Sequence, residues 1–149
     1  MRDAIGGVVN ISFIAIFMLV VSGYLAFSVS YNKAFKVKNK VISVLEQYEH
    51  YNDTSKAAIK DYMNKIGYNA SSPRIVEDKD GTGWNCPSDL PGVCLKWTQD
   101  EASVDMGIPK GYYSVKTAVD IDVPIFNKFL PYMTFFQTQG DTMTINAEN

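Results

Sequence analysis

Residues 4–32 read AIGGVVNISFIAIFMLVVSGYLAFSVSYN, twenty-nine positions without a charge between the pair Arg2-Asp3 and Lys33. As a helix at about 1.5 Å per residue this run spans about 43 Å, more than the roughly 30 Å hydrocarbon core of a bilayer. A chain that crosses lipid must satisfy its backbone hydrogen bonds within itself, so the run reads as a transmembrane helix. Asn10, Ser12 and Ser22 are mild exceptions that sit near the ends or are able to bond back to the helix. A secretory signal peptide is the competing reading. Its apolar region is only about 7–15 residues and ends at a small-residue cleavage site, whereas this run is longer and passes into a second helical pattern.

That second pattern places Ala34, Val37, Val41, Val44, Tyr48 and Tyr51 at alternating spacings of three and four, one apolar stripe on a polar stem. No Pro or Gly interrupts residues 24–51, so anchor and stem are expected to form one helix of about 45 residues, about 70 Å long. The stripe has two uses, packing on the stem's own domain or packing on other subunits. Phe13, Phe17, Val37, Val41, Val44 and Tyr48 are the residues singled out for subunit packing.

The remainder is enough for one small domain. Asn52-Asp53-Thr54 offers a break and an N-cap, Ser55–Ile66 a second helix with Ala58, Ile59, Tyr62, Met63 and Ile66 on its apolar face, and Gly67 a stop. Asn69–Pro73 reads as a turn, Arg74–Val76 and Val93–Thr98 as short strands, and Asp100–Lys110 as a loop. From Tyr113 to Val123, Tyr, Val, Thr, Val, Ile and Val alternate with Ser, Lys, Ala, Asp and Asp, the period of a strand with one face on a core. Ile125–Pro131 reads as an apolar connection; Met133–Thr138 and Thr142–Ile145 then form a strand pair or one strand bulged at Gly140. The expected organisation is therefore α+β: a leader and transmembrane helix over 1–32, an amphipathic stem over 33–51, and a small antiparallel sheet domain with one short helix over 52–149.

Chemistry has little material here. The net charge is -2 and the cations beyond residue 40 are scattered, which gives no nucleic-acid footprint. His50 is the one histidine, and no nucleophile elbow, phosphate loop or His/Cys metal spacing occurs. Asp120 and Asp122 share a strand face, the one that alternation assigns to water. No enzymatic activity, cofactor or small-molecule substrate is expected. Calcium is the one ion with a pattern behind it. Asp78, Asp80, Thr82, the Trp84 carbonyl and Asp89 fall at the spacing of the first half of an EF-hand loop, with Gly83 making the sharp turn. The pattern departs from an EF-hand in carrying Asp89 where a bidentate Glu belongs and Pro87 where a helix should begin. A polar Asp/Gly hairpin turn accounts for the same residues.

Cys86 and Cys94 lie eight apart around two prolines and a glycine, which lets the chain turn back and form a disulfide. A disulfide suits an oxidising exterior. Lys33, Lys36, Lys38 and Lys40 follow the span and, by the positive-inside rule, pull the C-terminal domain toward the cytoplasm. Because long domains translocate with limited regard to charge, the cysteine pair decides for a domain outside the cytoplasm.

A short polar leader, a glycine, an apolar helix from near the first residue, an amphipathic continuation and a small α+β domain together resemble type IV pilin-like proteins. The chain most resembles TadE-like minor pilins (pseudopilins) of tight-adherence pilus systems, in outline throughout and in sequence over the N-terminal third and residues 113–145. In the latter, the strand Val115–Val123, a Pro, an apolar connection and a final strand follow that pattern. The resemblance implies cleavage by a prepilin peptidase after Gly6 or Gly7. It also implies partners among other pilin-like subunits and pilus assembly proteins, in addition to the lipid membrane. These families usually carry a Glu at the fifth position after the cut, where this chain has Ile11 or Ser12. The expected role is a membrane-anchored structural subunit of a surface pilus or its assembly machinery. The alternative is a tethered extracytoplasmic binding or sensing domain, calcium-dependent if the Asp78–Asp89 loop is a site.

Overall fold

A computed structural model describes residues 2–68, 83–100, 110–119 and 136–146. Helix α1, Arg2–Tyr48, carries anchor and stem as one unbroken 47-residue element. Helix α2 follows at Asp53–Ile66. Strands β1 (Val93–Gln99), β2 (Lys110–Val119), β3 (Phe136–Asp141) and β4 (Ile145–Asn146) form one sheet in which every pairing is antiparallel. The α+β class and the small antiparallel sheet are thus as the residue patterns require.

Local chemistry accounts for the helix ends. Asn52 accepts the Ser55 N–H at 2.8 Å while the Ser55 hydroxyl accepts the Asn52 N–H at 2.9 Å, a reciprocal capping box that starts α2 two residues before the expected Ser55. At the other end Gly67 takes φ 62° and Tyr68 donates to the Met63 carbonyl, as an αL stop requires. α1 ends differently. Glu49 adopts φ 59°, so the helix stops at Tyr48 and not at Tyr51. Tyr51 then packs on the core from the turn, while Tyr48 stays exposed and Leu45 is buried beside Val41 and Val44.

The core lies where the upper half of α1 meets the sheet and α2. Ala34, Val37, Val41, Val44 and Leu45 are fully buried against Val93, Leu95, Val115 and Val119 from the strands and Ile59 and Met63 from α2. α2 runs back along α1, since its C-terminal Gly67 carbonyl comes to the Lys33 ammonium. Thr117, in the middle of the sheet, donates its hydroxyl to the Ala34 carbonyl at 3.1 Å.

β2 begins at Lys110, earlier than its alternation predicts, because Gly111 has no side chain. A Cβ there would strike the Trp97 ring and stand 2.6 Å from the Thr98 carbonyl oxygen. The inward positions Val115, Thr117 and Val119 are buried as predicted, but so is Ser114 on the opposite face. That face is not simply water-exposed. Asn85 exchanges hydrogen bonds with Leu95 at 2.7 and 2.8 Å, adding an edge to β1, and the Lys116 ammonium lies 4.1 Å over the Trp84 ring.

β3 and β4 do not pair with each other. They lie end to end along β2, with Ser114 opposite Asp141 and Gly111 opposite Ile145. Thr142, Met143 and Thr144 therefore stand against only Tyr112 and Tyr113, a bulge displaced from the predicted Gly140. Gly140 has a different task. A Cβ on it would come within 3.0 Å of Ile42 and 3.3 Å of the Lys38 stem, so its absence lets α1 settle on the sheet. The expected turn at 69–73, strand at 74–76, loop over 101–109, connection at 125–131 and the pair Asp120 and Asp122 lie outside the described residues.

Candidate functional site

The largest exposed apolar surface among the described residues is the lower half of α1. Val8, Ile11, Phe13, Ile14, Phe17, Met18, Leu19 and Leu25 point outward around the whole circumference, with Phe13 and Phe17 exposed by 67% and 66%. An exposed apolar surface of that size marks a contact with a membrane or another protein. The helix is long and apolar enough to cross a membrane, with a mean hydropathy of 2.2 in its best window. Two of its polar side chains bond back to the helix: the Ser12 hydroxyl donates to the Val8 carbonyl at 2.9 Å and the Ser22 hydroxyl to that of Met18 at 2.8 Å. A hydroxyl that bonds its own preceding turn asks nothing of lipid.

The structure shortens the span that the sequence marks. Packing on the domain begins at Ala26 and Phe27, where Phe27 meets Phe136 of β3 edge to face at 5.0 Å. Tyr31 and Phe35 continue the aromatic column upward. Residues 4–25 remain below the described domain, exposed from Gly7 onward except at Gly23, and measure about 33 Å. That is close to a bilayer's hydrocarbon thickness of about 30 Å, whereas the whole uncharged run overshoots it.

Of the residues singled out for subunit packing, Val37, Val41 and Val44 are enclosed by the chain's own domain and offer no surface to a second subunit. The helix presses them against Val115 and Val119, so the stripe's use is intramolecular. Phe13, Phe17 and Tyr48 remain exposed. Gly6 and Gly7 lie within the first turns of α1, and open space surrounds Gly7.

Cys86 and Cys94 form a disulfide. It continues the register of the Asn85–Leu95 bridge by one position on each side, so it staples directly opposed residues of a tight hairpin. Inside that hairpin the Val93 N–H donates to the Leu90 carbonyl across Pro91 and Gly92, and Gly92 has φ 77°. This is the Pro-Gly turn chemistry that returns the chain. Leu90 at its tip is fully buried in the core.

The calcium pattern is divided. Asp78, Asp80 and Thr82 lie outside the described residues. Gly83 does make a turn with φ 76°. Asp89, however, is engaged by the Lys56 ammonium of α2, and the Trp84 ring sits beneath Lys116. The Asp89 carboxyl is held below its ordinary range by the hydrogen bond and charge of Lys56, which is itself raised by the same bond. The pair tethers the hairpin to α2. Among the described residues no three His, Cys, Asp or Glu side chains converge on a common point. Burial pushes the neighbouring Tyr51 phenol up.

Several contacts carry no sequence signal. The Glu46 carboxylate accepts the Met143 N–H at 2.8 Å, holding the bulge to the helix. Tyr68 donates to the Ala118 carbonyl at 2.6 Å, closing the end of α2 onto β2. Each joins segments 50 or more residues apart in the chain.

The fold and this surface define a small α+β domain carried on a helix of membrane-spanning length and composition. Compared with family models, curated proteins and solved structures, the chain matches none.

Proposed function

We propose that this chain is a membrane-anchored structural subunit with its domain outside the cytoplasm, a pilin-like minor component of a surface pilus or of the machinery that assembles one. The observation that carries the reading is the division of a single 47-residue helix into two halves. The upper half is the core of the domain, and the lower half is apolar on all sides with nothing in the described chain to cover it. Such a helix is stable in lipid, and equally stable if matching helices replace lipid around it. The disulfide supports an oxidising compartment for the domain. Function then lies in helix packing, with Phe13 and Phe17 on the exchangeable surface.

Mass spectrometry of the native protein tests this reading. Processing of the pilin type leaves an N-terminus at Gly7 or Val8, and the protein is recovered with filaments sheared from cells. An intact Met1 together with absence from the sheared fraction overturns the filament-subunit role.

A further inference from the structure

The domain does not hang from the anchor on a spacer. Phe27 is already packed on Phe136, within about 3 Å of helix rise from Leu25. If residues 4–25 fill the hydrocarbon, the lower rim of the domain rests on the headgroup layer. That rim has a distinct composition. Tyr24, Tyr31 and Phe35 are exposed on α1, and Phe136 joins them from β3. Aromatic rings of this kind are enriched at the membrane–water boundary.

Charge is segregated along the same helix. Between Asp3 and Glu46 there is no acidic residue, while lysines stand at 33, 36, 38 and 40. Lys38 has its stem buried on the sheet and its ammonium 4.3 Å over the Phe35 ring. Lys33 and Lys36 are exposed, Lys33 reaching the Gly67 carbonyl at 3.4 Å. They leave the helix about 12 and 16 Å above Leu25. A headgroup layer is about 5–8 Å thick, lysine stems bend their ammonium groups toward it, and the surface potential persists for a further Debye length of about 8 Å.

We propose that this rim is a lipid-headgroup collar that selects anionic phospholipids, with Lys33 and Lys36 as the phosphate-facing cations and Tyr24 and Tyr31 as its interfacial aromatics. The proposal rests on the anchoring reading and adds a partner to it. The collar fixes the depth and tilt of the domain, and it gives the membrane a ligand to release when the helix leaves the bilayer.

The full chain, reconstituted in phosphatidylcholine bilayers containing spin-labelled phosphatidylglycerol or spin-labelled phosphatidylcholine, tests this. The motionally restricted fraction should favour the anionic label by about threefold at low ionic strength and lose that preference in high salt. Lys33→Gln with Lys36→Gln should bring the ratio near one, while Lys60→Gln on α2 leaves it unchanged. A chain that floats with the bilayers yet shows no anionic preference overturns the collar alone, as does a preference that survives the double substitution. A chain that does not float with bilayers overturns the anchoring reading and the collar with it.

Discussion

Thr117 and Ala34, 83 positions apart, are joined by a hydrogen bond from the threonine hydroxyl to the helix carbonyl in the buried seam between sheet and stem. Ala34 is fully buried in this seam, and a longer side chain there would hold the helix off β2. The carbonyl retains its place in the helical ladder, so removing the hydroxyl orphans nothing. Thr117→Val is expected to cost about 1 kcal/mol, the net value of an ordinary buried hydrogen bond. Ala34→Leu is expected to cost more, about 1–3 kcal/mol from overpacking. Denaturant unfolding of the full chain in detergent checks both, and a neutral Ala34→Leu would contradict the close seam.

Gly111 lies across from the Trp97 indole and the Thr98 carbonyl with no room for a methyl group. Because one obstacle is backbone, it cannot swing aside. Gly111→Ala should destabilise by about 2 kcal/mol or more. It should also perturb the Trp97–Tyr113 contact, whose rings lie 4.7 Å apart, so near-ultraviolet circular dichroism reports it together with the fall in Tm.

Much of the architecture was readable from residue patterns, and the exceptions share a cause. The uncharged run, the caps of α2 at Asn52 and Gly67, the Cys86–Cys94 hairpin and the alternation of Val115, Thr117 and Val119 are local signals, each confined to one segment. The boundary of the span was not readable, since Phe27 serves the domain with the same apolar chemistry that Phe17 leaves exposed. Nor was the site of the bulge, which Glu46 contacts from 97 positions away. The pairing of Asp89 with Lys56 was not readable for a similar reason, because Lys56 sits on another element.

Glu49 occupies a left-handed conformation at the end of α1 that an L side chain adopts at a cost of about 1–2 kcal/mol. Glu49→Gly relieves it but loosens the unfolded chain, for a net gain of about 0.5–1 kcal/mol. The converse at Gly67, φ 62° in open space, is Gly67→Ala, which should cost about 1 kcal/mol. Opposite signs at the two helix ends, measured as midpoints of chemical denaturation, are the expected result.

The Lys56–Asp89 pair gives the stability a signature at both extremes of pH. Asp89 is depressed by Lys56, so its contribution is present above the unfolded aspartate pKa and lost as pH falls through the lower folded value. Lys56 is raised by Asp89, so its contribution is present below the unfolded lysine pKa and lost as pH rises through the higher folded value. Both groups are at the surface, so the effect is small and weakens with salt. In Asp89→Asn the acid-side dependence attributable to this pair should vanish, as read from unfolding midpoints between acid and neutral pH.

The lower half of α1 remains the element on which the functional reading depends. Since Cys86 and Cys94 are bonded to each other, a cysteine introduced at Phe17 is the only free thiol. Labelling of Phe17→Cys by a membrane-impermeant maleimide in intact cells and membranes, set against Asn39→Cys on the exposed side of the stem, measures where that helix lies. The expected result is a Phe17 position protected until detergent is added, with Asn39→Cys labelled from outside the cell. Equal and rapid labelling of Phe17→Cys before and after solubilisation would contradict an anchor buried in lipid or among neighbouring helices.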